Sequence, residues 1–264
     1  MEKEKPAFRL KYNGVVVIQS LPDNEPQTGK QLYDDTIARW CDKYEHGKYF
    51  YNPSSKKELL DVLNEVCNNV LKDDLMPILH FELHGFKKGL ELKNKEQILW
   101  HEFMDHCRLI NIRTNNQLII TLASCWGSEI WRMIDITKPS PYWGYIGPKE
   151  EISSGDLMED FSDFYDSLLT EQNLDNALKK LAFNDRRHKY IYLHAKGIFE
   201  HHIEKNYKGT TINKNETFKR LAKQAKEHYP NLNRAERRNR VKTNVNTFNR
   251  TSFIYKMKKA FLMT

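Results

Sequence analysis

No stretch of this chain approaches the roughly 20 consecutive apolar residues that a bilayer-spanning helix needs, so no transmembrane segment is expected. The opening Met1-Glu2-Lys3-Glu4-Lys5 is charged and leads into no apolar stretch of the kind a signal peptide carries, which points to a cytoplasmic protein. Cysteine is scarce. Cys41, Cys67, Cys107 and Cys125 are the four among 264 residues, and no two of them form a CxxC pair. That spacing argues against a zinc knuckle and against a secreted disulfide framework, and three of the four are expected to be small buried apolar residues. Metal-ligand patterns are also lacking. The histidines of His101-Glu102-Phe103-Met104-Asp105-His106 lie five apart, off a common helix face, and His201-His202 has no further ligand cluster nearby, so neither a metal nor another cofactor is expected. There is no internal repeat and no low-complexity tract.

What is present is divided unevenly. Residues 1–170 hold 20 Lys and Arg against 27 Asp and Glu, whereas residues 171–264 hold 22 against 8. An acidic front and a basic back imply either an acidic partner for the back, nucleic acid or an acidic protein surface, or docking of the back onto the front. The length allows one good core and a small appended module, and the domains are expected at 1–170 and 171–264.

Hydrophobic patterning in the front half alternates between strands and helices. Gly14-Val15-Val16-Val17-Ile18 is a continuous β-branched run suited to a central parallel strand. Helices are expected over about 28–43, from Ser54-Ser55-Lys56-Lys57-Glu58 with its capping-box pattern, over about 95–111, from Gly127, and after Ser153. Further strands are expected at Ile78–His84, Leu118–Ser124 and Tyr142–Gly147, with a short extension at Gly89-Leu90-Glu91-Leu92. This order indicates an α/β sandwich with a mostly parallel sheet and helices on both faces. Beyond about Glu171 strand signals fade, and helices are expected near 173–182, 186–206, 214–229 and 233 to the end, the last capped by Asn233 with Glu236.

Two of these strands end in reactive side chains. Ile78-Leu79-His80-Phe81-Glu82-Leu83 runs into His84-Gly85, and 41 positions later Leu118-Ile119-Ile120-Thr121-Leu122-Ala123-Ser124 runs into Cys125-Trp126-Gly127. Functional groups in open parallel sheets gather beyond the carboxyl ends of strands, so neighbouring strands ending this way place an imidazole beside a thiol. The imidazole can take the proton of the thiol, giving a nucleophile suited to amide carbonyls; His84 then serves as base and later as acid to the leaving amine. Gly85, without a Cβ, lets its N–H approach a developing oxyanion, and the N–H of Cys125 supplies a second donor.

These residues resemble the caspase-like superfamily of cysteine peptidases, which includes the caspases, separase, gingipains and the bacterial CHAT proteases. The shared pattern is an apolar strand ending in His-Gly, here Phe81-Glu82-Leu83-His84-Gly85, and a later one ending in Cys-x-Gly, here Leu122-Ala123-Ser124-Cys125-Trp126-Gly127. Gly144-Tyr145-Ile146-Gly147 through Gly155-Asp156, then Phe161, Phe164-Tyr165 and Leu168, is similar to the strand and following helix of the CHAT group. The resemblance covers roughly residues 10–170. It implies a three-layer caspase-like sandwich, a His84/Cys125 dyad, Gly85 and Cys125 as oxyanion donors, and a regulated endopeptidase of the kind that serves in antiviral defence or programmed cell death. It also implies an acidic group in the S1 pocket wherever cleavage follows arginine or lysine. Asp156, Asp160 and Glu82 are candidates between which the sequence does not choose, and Trp126 is either a wall of that pocket or a core aromatic.

Other readings stand beside these. His80 shares a strand face with His84 and either tunes it or fills space. Arg234, Arg237, Arg238 and Lys242 recur at three- and four-residue steps along one helix with Arg240 beside them, which describes either a solvated face or a contact for phosphates or for an acidic protein patch. A catalytically inactive caspase-like adaptor, whose basic C-terminal region binds nucleic acid or a partner protein, is the competing function.

Overall fold

A computed structural model describes residues 11–181, 189–207, 214–247 and 249–264. The front of the chain is built as its hydrophobic pattern dictates. β1 (Gly14–Ser20) is buried along its whole length, because Val15 and Val17 face one side of the sheet while Val16 and Ile18 face the other. It lies between β2 (Gly47–Tyr51) and β3 (Pro77–Phe86), parallel to both. Next to β3 come β6 (Ile119–Ala123) and β7 (Gly144–Pro148), also parallel, and then β8 (Tyr190–His194), antiparallel to β7. The order across the sheet is β2-β1-β3-β6-β7-β8, and a small ribbon of β4 (Gly89–Glu91) and β5 (Gln97–Leu99) extends from the far end of β3.

Helices cover both faces, as right-handed crossovers require. On one face lie α1 (Thr28–Leu32) and α2 (Ala38–Lys43), joined by a π-helical turn at Tyr33–Ile37, with α5 (Ser154–Glu171) and α6 (Leu174–Leu181); Phe161, Phe164 and Leu168 of α5 pack there on Ile78, Ile119 and Ile146. On the other lie α3 (Lys56–Lys72), α4 (Trp100–Arg113), α7 (Ala195–Tyr207) and α10 (Arg250–Leu262), around Leu79, Phe81, Ile120 and Leu122. The Ser55 hydroxyl accepts from the Glu58 N–H and caps α3, and Ser153 caps α5 in the same way through the Asp156 N–H.

The back of the chain departs from the expected arrangement. Residues 190–194 form a strand, not the start of a helix, so the sheet runs past residue 170 and takes its last strand from the basic segment. α7 and α10 likewise belong to the main core through Phe199 and Phe261, and the Leu262 carbonyl accepts from Asn116 Nδ2 at 2.9 Å. The back docks on the front through apolar contacts, which corrects the boundary at 170. Among the described residues, only α8 (Lys214–His228) and α9 (Arg234–Thr247) form a unit with its own small cluster, around Ala225, Val241 and Val245. The cap on α9 is a capping box, since Glu236 N donates to Asn233 Oδ1 and Asn233 N to Glu236 Oε2. The expected final helix is broken in two, with Asn249 capping α10.

Burial in this core pushes several neutral acids upward: the Cys41 thiol to about 11, and Cys107, Tyr142 and Tyr165 above their ordinary values, in each case first through desolvation. These groups stay protonated in the fold at pH values where the unfolded chain releases its protons, so the unfolded state binds fewer protons and stability falls as pH rises. Denaturant midpoints are therefore expected to drop steadily above about pH 8.5, where ordinary thiols begin to ionise. A midpoint flat to pH 11 would contradict the burial described.

Candidate active site

The carboxyl edge of the sheet brings the two reactive strand ends together. β3 and β6 are direct neighbours, and their ladder ends with Glu82 opposite Ala123, two residues before His84 and Cys125. A Cβ at Gly85 would run into the Cys125 carbonyl oxygen and crowd the Ser124 hydroxyl. Glycine is thus required here for space: the segment after His84 lies directly against the chain carrying Cys125. Trp126 then takes a left-handed conformation (φ 62°), which turns the chain sharply into the short 3-10 helix Gly127–Met133, and the Gly127 carbonyl is held by the Tyr145 hydroxyl at 2.9 Å.

Cys125 differs from the other three cysteines in being half-exposed; Cys41, Cys67 and Cys107 are buried, as expected. Its thiol is nevertheless pushed above its ordinary pKa, first by burial and then by the Glu151 carboxylate. The backbone N–H groups of Cys125 and Ile152 oppose that shift by favouring the thiolate. In this state the thiol is protonated at neutral pH and needs a base to become a nucleophile.

The imidazole has a partner that the sequence did not announce. His84 Nε2 lies 2.7 Å from Glu25 Oε2. Glu25 sits in the loop after β1, which is shaped by a turn (Glu25 N to Pro22 O, 3.0 Å) and by the Gln27 side-chain amide, which donates to the Pro22 and Glu25 carbonyls and accepts from Gln19 at 2.6 Å. The only local sign was the pair of prolines bracketing Asp23-Asn24-Glu25 as a loop. With Nε2–H donating to Glu25, Nδ1 is the nitrogen left to accept a proton. A second carboxylate, Glu91, pairs across β3 and β4 with His84; bonds from Lys95 and Gln97 hold it below the usual carboxylate range, with His84 a smaller contributor.

The remaining candidates separate. Glu82 is buried and fully engaged, accepting from Thr28 Oγ1 and lying 3.2 Å from His80 Nε2. His80 in turn contacts Thr121 Oγ1 at 2.8 Å, and Thr121 meets the Tyr165 hydroxyl at 2.7 Å, so His80 is a member of a buried polar chain that ties α1, the sheet and α5. Asp160 is also buried and accepts from the Tyr190 hydroxyl at 2.7 Å. Asp156 lies at the half-exposed first turn of α5, and Trp126 is 43% exposed beside the thiol, so it is not a core aromatic. The basic row is on α9: Arg234, Arg238, Arg240 and Lys242 are exposed and Arg237 half-buried, with Arg238 over the Phe218 ring and Arg240 over Tyr229 at 5.0 Å. Among the described residues no helix is long and apolar enough to cross a membrane, and no group of three or more His, Cys, Asp or Glu side chains converges as a metal site.

No protein-family model matches the chain, and no curated protein matches it.

If Glu25 orients His84, Glu25→Gln is expected to slow Cys125-dependent chemistry by about tenfold, because an amide no longer offsets the charge of the imidazolium that forms during the reaction. The check is the cleavage rate of both proteins on one peptide at one pH. Equal rates would leave Glu25 as a surface contact.

Proposed function

We propose that the chain is a caspase-like cysteine endopeptidase. The observation that carries this reading is the adjacency of two strand ends, His84-Gly85 after β3 and Cys125 after β6, at the edge of a mostly parallel sheet where such sandwiches collect catalytic groups. In the proposed reaction Cys125 Sγ attacks the carbonyl carbon of the scissile peptide as its proton passes to His84. The backbone N–H groups of Gly85 and Cys125 receive the oxyanion. Collapse expels the amine, which takes the proton from His84 and leaves a thioester on Cys125; water activated by His84 then hydrolyses it. Glu25 holds the ring and offsets its positive charge between these steps.

Of the acidic candidates for a basic P1 residue, the exposure of Asp156 favours it over Glu82 and Asp160, whose carboxylates are buried against hydroxyl partners. A pooled peptide library incubated with wild-type and Cys125→Ala protein, read by mass spectrometry, tests the reading. Cleavage by wild type alone supports it and reveals the P1 residue.

The exposed basic face of α9 favours a second reading, a non-catalytic caspase-like adaptor whose α8–α9 unit binds nucleic acid or an acidic protein. It requires salt-sensitive binding that survives loss of Cys125 and falls when Arg237 and Arg238 are neutralised.

A further inference from the structure

A groove of about 970 Å³ opens between β8, α7 and the 3-10 helix that follows Cys125. Its size lies at the upper end of the range of ligand sites. Two features define what it would accept. The first is an unfinished sheet edge. In the β7–β8 ladder, Lys149 N donates to Lys189 O and Ala195 N to Trp143 O, so the odd-numbered residues of β8 bond to β7. By the alternation of an antiparallel pair, the backbone N–H and C=O of Tyr192 point the other way, toward the groove, and β8 pairs with no other strand among the described residues. Ile191 and Leu193 turn their side chains onto the adjoining apolar surface, where Trp131 and Ile198 form the walls.

The second feature is charge. Arg132 and Lys205 are the charged residues of the lining, beside the imidazoles of His194, His201 and His202, and no Asp or Glu lines it among the described residues. Arg132 is bonded to Glu129 at 3.0 Å, while His201 and Lys205 are exposed at the rim. A strip of backbone donors and acceptors beside an apolar floor, with the Lys205 ammonium and the His201 imidazole along its rim, has the chemistry for one kind of occupant.

We propose that this groove binds an extended acidic peptide segment, added as a strand to β8 with β-branched side chains on Ile191 and Leu193 and carboxylates at His201 and Lys205. The 3-10 helix that walls the groove begins two residues after Cys125, and Trp131 on it packs edge-on against His201 at 6.1 Å between ring centroids. An occupant therefore touches the element that sets the position of the thiol, which makes the groove a regulatory site for the peptidase. This last step rests on the proposed function; the binding itself does not.

The test uses the full-length Cys125→Ala protein and a displayed library of heptapeptides. Enrichment of sequences with Asp or Glu flanking Val, Ile or Leu is expected. Synthetic copies should slow hydrogen exchange at the Tyr192 amide and should bind at least about tenfold more weakly to a His201→Glu/Lys205→Glu variant, the loss of roughly 1.4 kcal/mol of charge complementarity. In the protein that retains Cys125, the same peptides should change its alkylation rate by iodoacetamide at least threefold. Absence of acidic enrichment, binding that leaves Tyr192 exchange untouched, or a Tyr192 amide protected only through concentration-dependent pairing of two copies would overturn the peptide site. Oligonucleotide binding that slows Tyr192 exchange in place of peptide would overturn it equally. Peptide binding with no effect on Cys125 alkylation would refute the regulatory link alone, whatever the outcome of the cleavage assay.

Discussion

Cys125→Ala is expected to abolish peptide cleavage, by at least about a thousandfold, while the melting temperature stays within about 2 °C of wild type. The two halves of this expectation have separate physical origins. The side chain is half-exposed at a turn, so removing its sulfur exposes little new apolar surface and leaves no large cavity. The chemistry, in contrast, has no substitute: the other thiols are buried inside the two core clusters and cannot reach a substrate. Retained cleavage in the variant would mean that another group is the nucleophile. A large fall in melting temperature would mean that Cys125 is a packing residue.

Gly85→Val is expected to have nearly as large an effect by a different route. Its Cβ would occupy space already taken by the Cys125 carbonyl oxygen, and the obstacle is backbone, so relief requires moving one of the two strand ends. Overpacking of this kind costs about 1–3 kcal/mol, and a displacement of even about 1 Å at a catalytic centre reduces rates about a hundredfold. The expected result is a folded but less stable protein with cleavage reduced by two orders of magnitude or more. Alanine at the same position should fall between wild type and valine. Unaltered activity in the valine protein would show that the Gly85 and Cys125 segments are farther apart than described.

The parts of this molecule that were legible in its sequence are those where one local signal decides the outcome. β1, β3 and β6 are predominantly apolar runs, buried on both faces as far as Leu83 in β3, and the caps at Ser55, Ser153 and Asn233 follow from hydroxyl or amide oxygens placed three residues before a free N–H. The His84 and Cys125 strand ends were visible for the same reason. β8 was not, because Tyr190-Ile191-Tyr192-Leu193-His194 is short, passes straight into α7 at Ala195 without a turn residue, and becomes a strand only by pairing with β7. β2 was missed because Gly47–Tyr51 lies at the sheet edge with every residue half-buried, so no alternation marks it. Glu25 lies 59 residues from His84 along the chain, and only the folded loop brings it to the ring.

Exposure alone makes Cys125 the first of the four thiols to react with iodoacetamide, so its selectivity is a weak test of the dyad. The dependence of that rate on His84 is a direct one. The account predicts that wild-type Cys125 alkylates several-fold faster at neutral pH than Cys125 of the His84→Ala protein, in which only the alkaline rise of the thiol remains. Identical rates for the two proteins would contradict the pairing of His84 with Cys125 and, with it, the peptidase reading.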